Sequence, residues 1–104
     1  MDITKVKMLQ ATLSWLNDTF VSAVGMKPLE DLPNGYRSNA TACIIANALT
    51  INAPPKSGYW SVTNSEIELV YEEGSEHWDV PSHISDFISQ FDAGDFPEYI
   101  KEYE

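Results

Sequence analysis

Residues 59–71 read Tyr59-Trp60-Ser61-Val62-Thr63-Asn64-Ser65-Glu66-Ile67-Glu68-Leu69-Val70-Tyr71, and this stretch decides whether the chain is all-helical or mixed. Two runs rich in β-branched and aromatic residues flank Asn64-Ser65, which is the pattern of a β-hairpin. A loop made of Asn64 and Ser65 pairs Thr63 with Glu66, Val62 with Ile67, Ser61 with Glu68 and Trp60 with Leu69. One face then carries Trp60, Val62, Ile67, Leu69 and Tyr71, and the other carries Ser61, Thr63, Glu66 and Glu68. That separation of apolar from polar supports the register.

On the C-terminal side, residues 72–80 read as an acidic loop. Pro81 then opens a helix over 81–93, in which Ile84, Phe87, Ile88 and Phe91 follow the i, i+3, i+4, i+7 spacing of one helical face. Gly94 ends it. Asp95 and Pro97 start a short last helix, 96–103, with Phe96, Tyr99, Ile100 and Tyr103 to dock it. On the N-terminal side, Asn52 to Gly58 is a break containing Pro54 and Pro55. Before it lies a helix over 40–50, apolar nearly all round and so expected at the centre of the core, with Ser38 or Asn39 as its cap. Residues 25–39, with Pro28, Pro33 and Asn34-Gly35, form a loop. Residues 4–24 form an amphipathic helix whose stripe is Val6, Leu9, Leu13, Leu16 and Phe20, widened by Met8, Thr12 and Trp15. The expected fold is a small single α+β domain over residues 1–104, in the order helix, helix, β-hairpin, helix, short helix. A two-stranded sheet is marginal alone, so it rests on helices or pairs with another copy.

The order of these elements, with Cys43-Ile44-Ile45-Ala46-Asn47-Ala48-Leu49 before the hairpin and Phe91-Asp92-Ala93-Gly94 after it, resembles small uncharacterised proteins of actinobacteria and their bacteriophages. Those proteins share a Cys-x-Ile-Ala-x-Ala-Leu stretch and a Phe-Asp-Ala-Gly helix end. The likeness covers roughly residues 40–100 and omits the first helix. It implies a stand-alone soluble domain, phage-encoded, and carries over no activity and no functional residues.

The charge is lopsided. Of 16 acidic residues, 12 fall between Asn64 and Glu104, where Lys101 is the only basic residue, and the net charge of the chain is −10. Such a balance argues against direct contact with nucleic acid or an anionic membrane and for a basic partner. Cys43 is the only cysteine, so there is no internal disulfide, and the N-terminus lacks a secretory pattern; the expected location is the cytoplasm. The longest strongly apolar stretch, Ala40 to Ile51, is shorter than the ~20 residues of a membrane-spanning helix.

Candidate chemistry is sparse. Cys43 near a helix start could be an activated thiol, but it sits among Ile and Ala with no basic residue in its helix, which favours a core role. His77 and His83, with Glu76, Asp79 and Asp86, supply donor atoms whose spacing fits no established zinc or calcium pattern. No glycine-rich phosphate loop is present, so neither metal nor cofactor is expected. Glu66 and Glu68 on one hairpin face stand ~6–7 Å apart by the strand rise, on the scale of neighbouring phosphates. Tyr59, Trp78 and Tyr103 are the aromatics best placed as exposed anchors.

The sequence is therefore read as a non-enzymatic, phage-derived accessory protein that binds a host protein with a basic surface. The expected contact residues are Tyr59, Glu66, Glu68, Glu72, Glu73, Glu76, Trp78, Asp79 and Tyr103. The alternatives are a self-associating assembly domain, a partial DNA mimic occupying a basic protein groove, and an enzyme pairing Cys43 with a histidine.

Overall fold

A computed structural model describes residues 3–101. It is a small α+β domain: α1 (Ile3–Val24), α2 (Ile44–Asn52), β1 (Tyr59–Val62), β2 (Glu66–Tyr71), β3 (Gly74–Asp79), α3 (Ser82–Asp92) and a 3₁₀ turn, Pro97–Tyr99. The strands form one antiparallel sheet in the order β1-β2-β3.

The stripe on α1 faces inward as its spacing demands, with Leu9, Thr12, Leu16 and Phe20 buried. Thr12 is tolerated there because its hydroxyl donates to the Met8 carbonyl one turn back, at 2.8 Å. Phe20 is fully buried, and the rings of Trp15, Trp60 and Trp78 meet it at centroid distances of 5.8, 5.5 and 5.1 Å, edge-on. Such T-shaped contacts each add to the area buried. The helix stops at Gly25, whose φ of +68° few side chains would accept.

The connection from α1 to α2 is irregular yet firmly held. Met26, Leu29 and Leu32 turn into the core. Asn17 clamps the loop by accepting from the Leu29 amide at 2.8 Å and donating to its carbonyl at 3.1 Å, as a strand neighbour would. Gly35 then runs against the start of α2 and pairs in parallel with Ile100: its amide donates to the Tyr99 carbonyl at 2.9 Å, and the Lys101 amide donates to its carbonyl at 2.8 Å.

The second helix starts later than its composition predicts. The expected cap at Ser38 or Asn39 is not used; Cys43 is the N-cap, its sulfur accepting from the Ala46 amide at 3.4 Å. The reason is local competition. Asn39 closes its own turn by accepting from the Thr41 amide, and the Ala40 carbonyl accepts from Val62 of β1 at 2.8 Å, so neither residue is free to begin a helix. From Ile44 onward the helix is central, with Ile44, Ile45, Ala46, Ala48 and Leu49 buried.

The hairpin register is the expected one, with Trp60 opposite Leu69, Ser61 opposite Glu68 and Val62 opposite Ile67. Thr63 tightens its loop: the backbone amide donates to the Glu66 carbonyl at 2.9 Å, and the hydroxyl accepts from the amides of Ser65 and Glu66. The Trp60 indole N–H is satisfied by the Ala53 carbonyl at 2.9 Å. Residues 72–80, expected as a loop, instead form a turn at Glu72-Glu73 and a third strand paired with β2. The correction has a physical cause. Gly, Ser, Glu and Asp have low strand propensity, and here the free edge of β2 and the docking of Trp78 on Phe20 override it.

Pro81 is the N-cap of α3, and Ile84, Phe87, Ile88 and Phe91 are its buried face. The last element is a 3₁₀ turn of 3 residues instead of the helix expected over 96–103; residues 102–104 lie outside the described part. Phe96 fills the core against Phe87 at 5.0 Å between centroids.

Candidate functional site

The register of the sheet fixes what its outer face carries. Tyr59, Val70 and Ser75 form one row across the three strands, Ser61, Glu68 and His77 the next, and Thr63, Glu66 and Asp79 the last. Alternation along each strand sends the neighbours of these residues to the inner face. The outer face is therefore polar and acidic, and no lysine or arginine occurs between Tyr59 and Asp79 to offset it.

At the centre of this face lies His77, whose sequence neighbours Glu76 and Asp79 suggested donor atoms in an acidic loop; pairing of β3 with β2 sets it beside Glu66 and Glu68 instead. Its Nδ1 contacts the Glu66 carboxylate, and its Nε2 lies 3.4 Å from Glu68 Oε2 and 2.9 Å from Ser75 Oγ. The hydrogen bond to Glu66 raises the His77 pKa above 6.5, and with the charges of Glu66 and Glu68 it outweighs the opposing effect of desolvation. The imidazole thus sits between two carboxylates, Glu66 at Nδ1 and Glu68 at Nε2, and when protonated it offsets their mutual repulsion.

The expected contact residues are distributed unevenly. Glu66, Glu68 and Asp79 share the outer face, and Tyr59 stands at its far end, 50% exposed. Glu72 and Glu73 make the exposed turn at the tip of β2 and β3, and Glu76 is exposed on β3. Trp78 is not the exposed anchor it was expected to be. It is half-buried, packed on Phe20 and on Trp60, with 5.7 Å between the indole centroids. Tyr103 lies outside the described residues.

The third strand is an edge, because β2 occupies one side of it and no strand of the described residues occupies the other. Every second residue of such a strand turns its backbone N–H and C=O outward. An acidic surface and an unpaired backbone ladder thus coincide on β3. Trp78 is the only apolar side chain of β3, so no alternation marks the strand in the sequence, and its low strand propensity hides it.

A second concave region, of about 310 Å³, lies between the start of α2, the end of β1 and α3, and includes Cys43, Ile44, Val62, Ile88, Phe91 and Asp92 in its wall. Its chemistry is muted. Burial pushes the Cys43 thiol above 9.0 despite amide hydrogen bonds, and the nearby Asp92 charge adds to the effect, so this is not an activated thiolate. The Asp92 carboxylate is engaged by the Ser38 amide at 2.8 Å. No helix among the described residues is long and apolar enough to cross a membrane.

No protein-family model, curated protein or solved structure matches this chain. The functional reading therefore rests on the geometry of the site itself.

Proposed function

We propose that this protein is a non-enzymatic binding protein whose acidic sheet takes up a basic, extended segment of a partner protein along β3. One observation carries the reading: β3 is an edge strand with exposed Glu76 and Asp79 on it, Glu72 and Glu73 at its start, and Glu66 and Glu68 beside it on β2. Strand addition to such an edge draws affinity from main-chain hydrogen bonds and selectivity from side chains at alternate positions. Here the selecting groups are carboxylates, so the complementary strand is rich in Lys or Arg. The resemblance to actinobacterial and phage proteins adds the expectation that the partner belongs to a host cell.

Charge also separates this reading from its rivals. Antiparallel pairing of β3 with a second copy would bring like charges together along the edge, which disfavours self-association there. The mimicry of DNA by Glu66 and Glu68 is less favoured because the His77 ring contacts both carboxylates and lies between them.

The test uses a defined probe, a short peptide alternating Lys and Val, titrated into the isotopically labelled protein at low and high salt. The amide signals of Ser75 to Asp79 shift first. Binding weakens as salt rises, because screening at physiological ionic strength acts over ~8–10 Å, and it is lost in the Glu76→Lys, Asp79→Lys variant. Salt-independent binding, or shifts centred away from β3, would refute the proposal. A concentration-dependent rise in mass without peptide would point to self-assembly instead.

A further inference from the structure

We propose that Glu66, Glu68 and His77 form a binding site for a divalent transition-metal ion such as zinc on the outer face of the sheet. One ligand atom from each of the three lies within 4.8 Å of the others. The convergence is imposed by the backbone: Glu66 and Glu68 are two apart on β2 and so share a face, and His77 is the cross-strand partner of Glu68. Zinc bound to imidazole nitrogen and carboxylate oxygen has bonds of about 2.0–2.2 Å, which places its ligand atoms about 3–4 Å apart. All three side chains are partly exposed, at 50%, 44% and 32% for His77, Glu66 and Glu68, so they have room to rotate; Glu66 already meets Nδ1, and Glu68, 3.4 Å from Nε2, is the side chain that turns to reach the same ion.

The chemistry of the donors selects the ion. Two carboxylates and a neutral imidazole balance a double positive charge, and the imidazole favours zinc, nickel or copper over magnesium and calcium. A histidine that ligates a metal commonly holds its other nitrogen in a hydrogen bond, and with Nδ1 on the ion, Nε2 of His77 has the Ser75 hydroxyl at 2.9 Å. Three protein ligands leave a coordination position for water or an incoming group. The His77 proton and the metal compete for the same nitrogen, so binding releases a proton and strengthens as pH rises. Charged groups facing the ring are Glu66 at Nδ1 and Glu68 at Nε2, both on β2, with Asp79 on the same face of β3. The neighbouring residues on this face, Ser61 of β1 and Thr63 just after it, carry no charge.

This site is independent of the partner reading and is tested with zinc alone. Zinc is titrated into the full chain at slightly alkaline pH in a non-chelating buffer, with calorimetry and the ring signals of His77 and His83 as readouts and magnesium as the comparison ion. The expected result is one zinc per chain, with the His77 ring signals shifting and those of His83 unmoved. Losing a ligand should weaken binding by at least the about 10–100-fold seen when an outer-shell partner is lost. His77→Gln and Glu68→Gln therefore both bind more weakly, while Asp86→Asn on α3 binds as the parent does. Far-UV circular dichroism confirms that each variant is folded, and either of the first two suffices if the other is not. No saturable zinc binding, equal affinity in a folded His77→Gln or Glu68→Gln chain, or equal shifts at both histidines would overturn the proposal.

Discussion

Replacing Gly35 by Ala adds one methyl group where no room exists. A Cβ built on Gly35 would lie 2.2 Å from the Ile44 nitrogen, 2.4 Å from the Cys43 carbonyl carbon and 2.6 Å from the Ile44 Cα. All three are backbone atoms, so no side chain can rotate away. Restoring contact at ordinary separations requires the loop and the start of α2 to part by about 1.3–1.8 Å. A shift of that size pulls apart the bonds from the Gly35 amide to the Tyr99 carbonyl and from the Lys101 amide to the Gly35 carbonyl, now 2.9 and 2.8 Å. At about 0.5–1.5 kcal/mol each they account for about 1–3 kcal/mol. Loosened packing at Ile44, 1% exposed, brings the total to about 2–4 kcal/mol. Urea denaturation followed by far-UV circular dichroism measures the loss, and amide exchange at Lys101 localises it. A Gly35→Ala chain within about 0.5 kcal/mol of the parent, the usual range for surface changes, with Lys101 still protected, would refute the close-packing argument.

Phe20→Ala removes a fully buried ring from between three indoles and should cost about 3–5 kcal/mol, read as a lower urea midpoint with an unchanged slope. The raised pKa of His77 stabilises the fold below its unfolded value of 6.5, and that contribution disappears as pH rises through the higher folded value. Thermal melts across this window should show a decline that His77→Gln removes, and a slope common to both chains would exclude His77 as its source. Cys43, 6% exposed with a raised pKa, should react with iodoacetamide far more slowly in the folded chain than in urea. Equal rates would show that the thiol is open.

The helices and the first hairpin were legible because periodicity reports burial directly: Leu9, Leu16 and Phe20 on α1 and Ile84, Phe87, Ile88 and Phe91 on α3 are inside, as their spacing requires. The β1–β2 register followed from a single assignment of the loop at Asn64-Ser65. The third strand was not legible, because its residues favour loops and what holds them is the edge of β2 and the ring of Phe20, distant in sequence. The same omission hid the centre of the candidate site. Glu66 and Glu68 could be placed on one face from the hairpin alone, whereas His77 joins them only when β3 is paired. The start of α2 was misjudged because the bond from Val62 to the Ala40 carbonyl is tertiary, and no local pattern announces it.

The indoles have an optical consequence. Trp15, Trp60 and Trp78 are the only tryptophans in the chain, and all three meet around one phenylalanine. Intrinsic fluorescence is therefore a local gauge at the junction of α1 with the sheet. No tryptophan takes part in the Gly35–Ile100 bridge or in the wall of the cleft that holds Cys43 and Asp92. Emission and helical dichroism thus sample different territory, and whether their unfolding curves superimpose is a built-in test of whether these regions let go together.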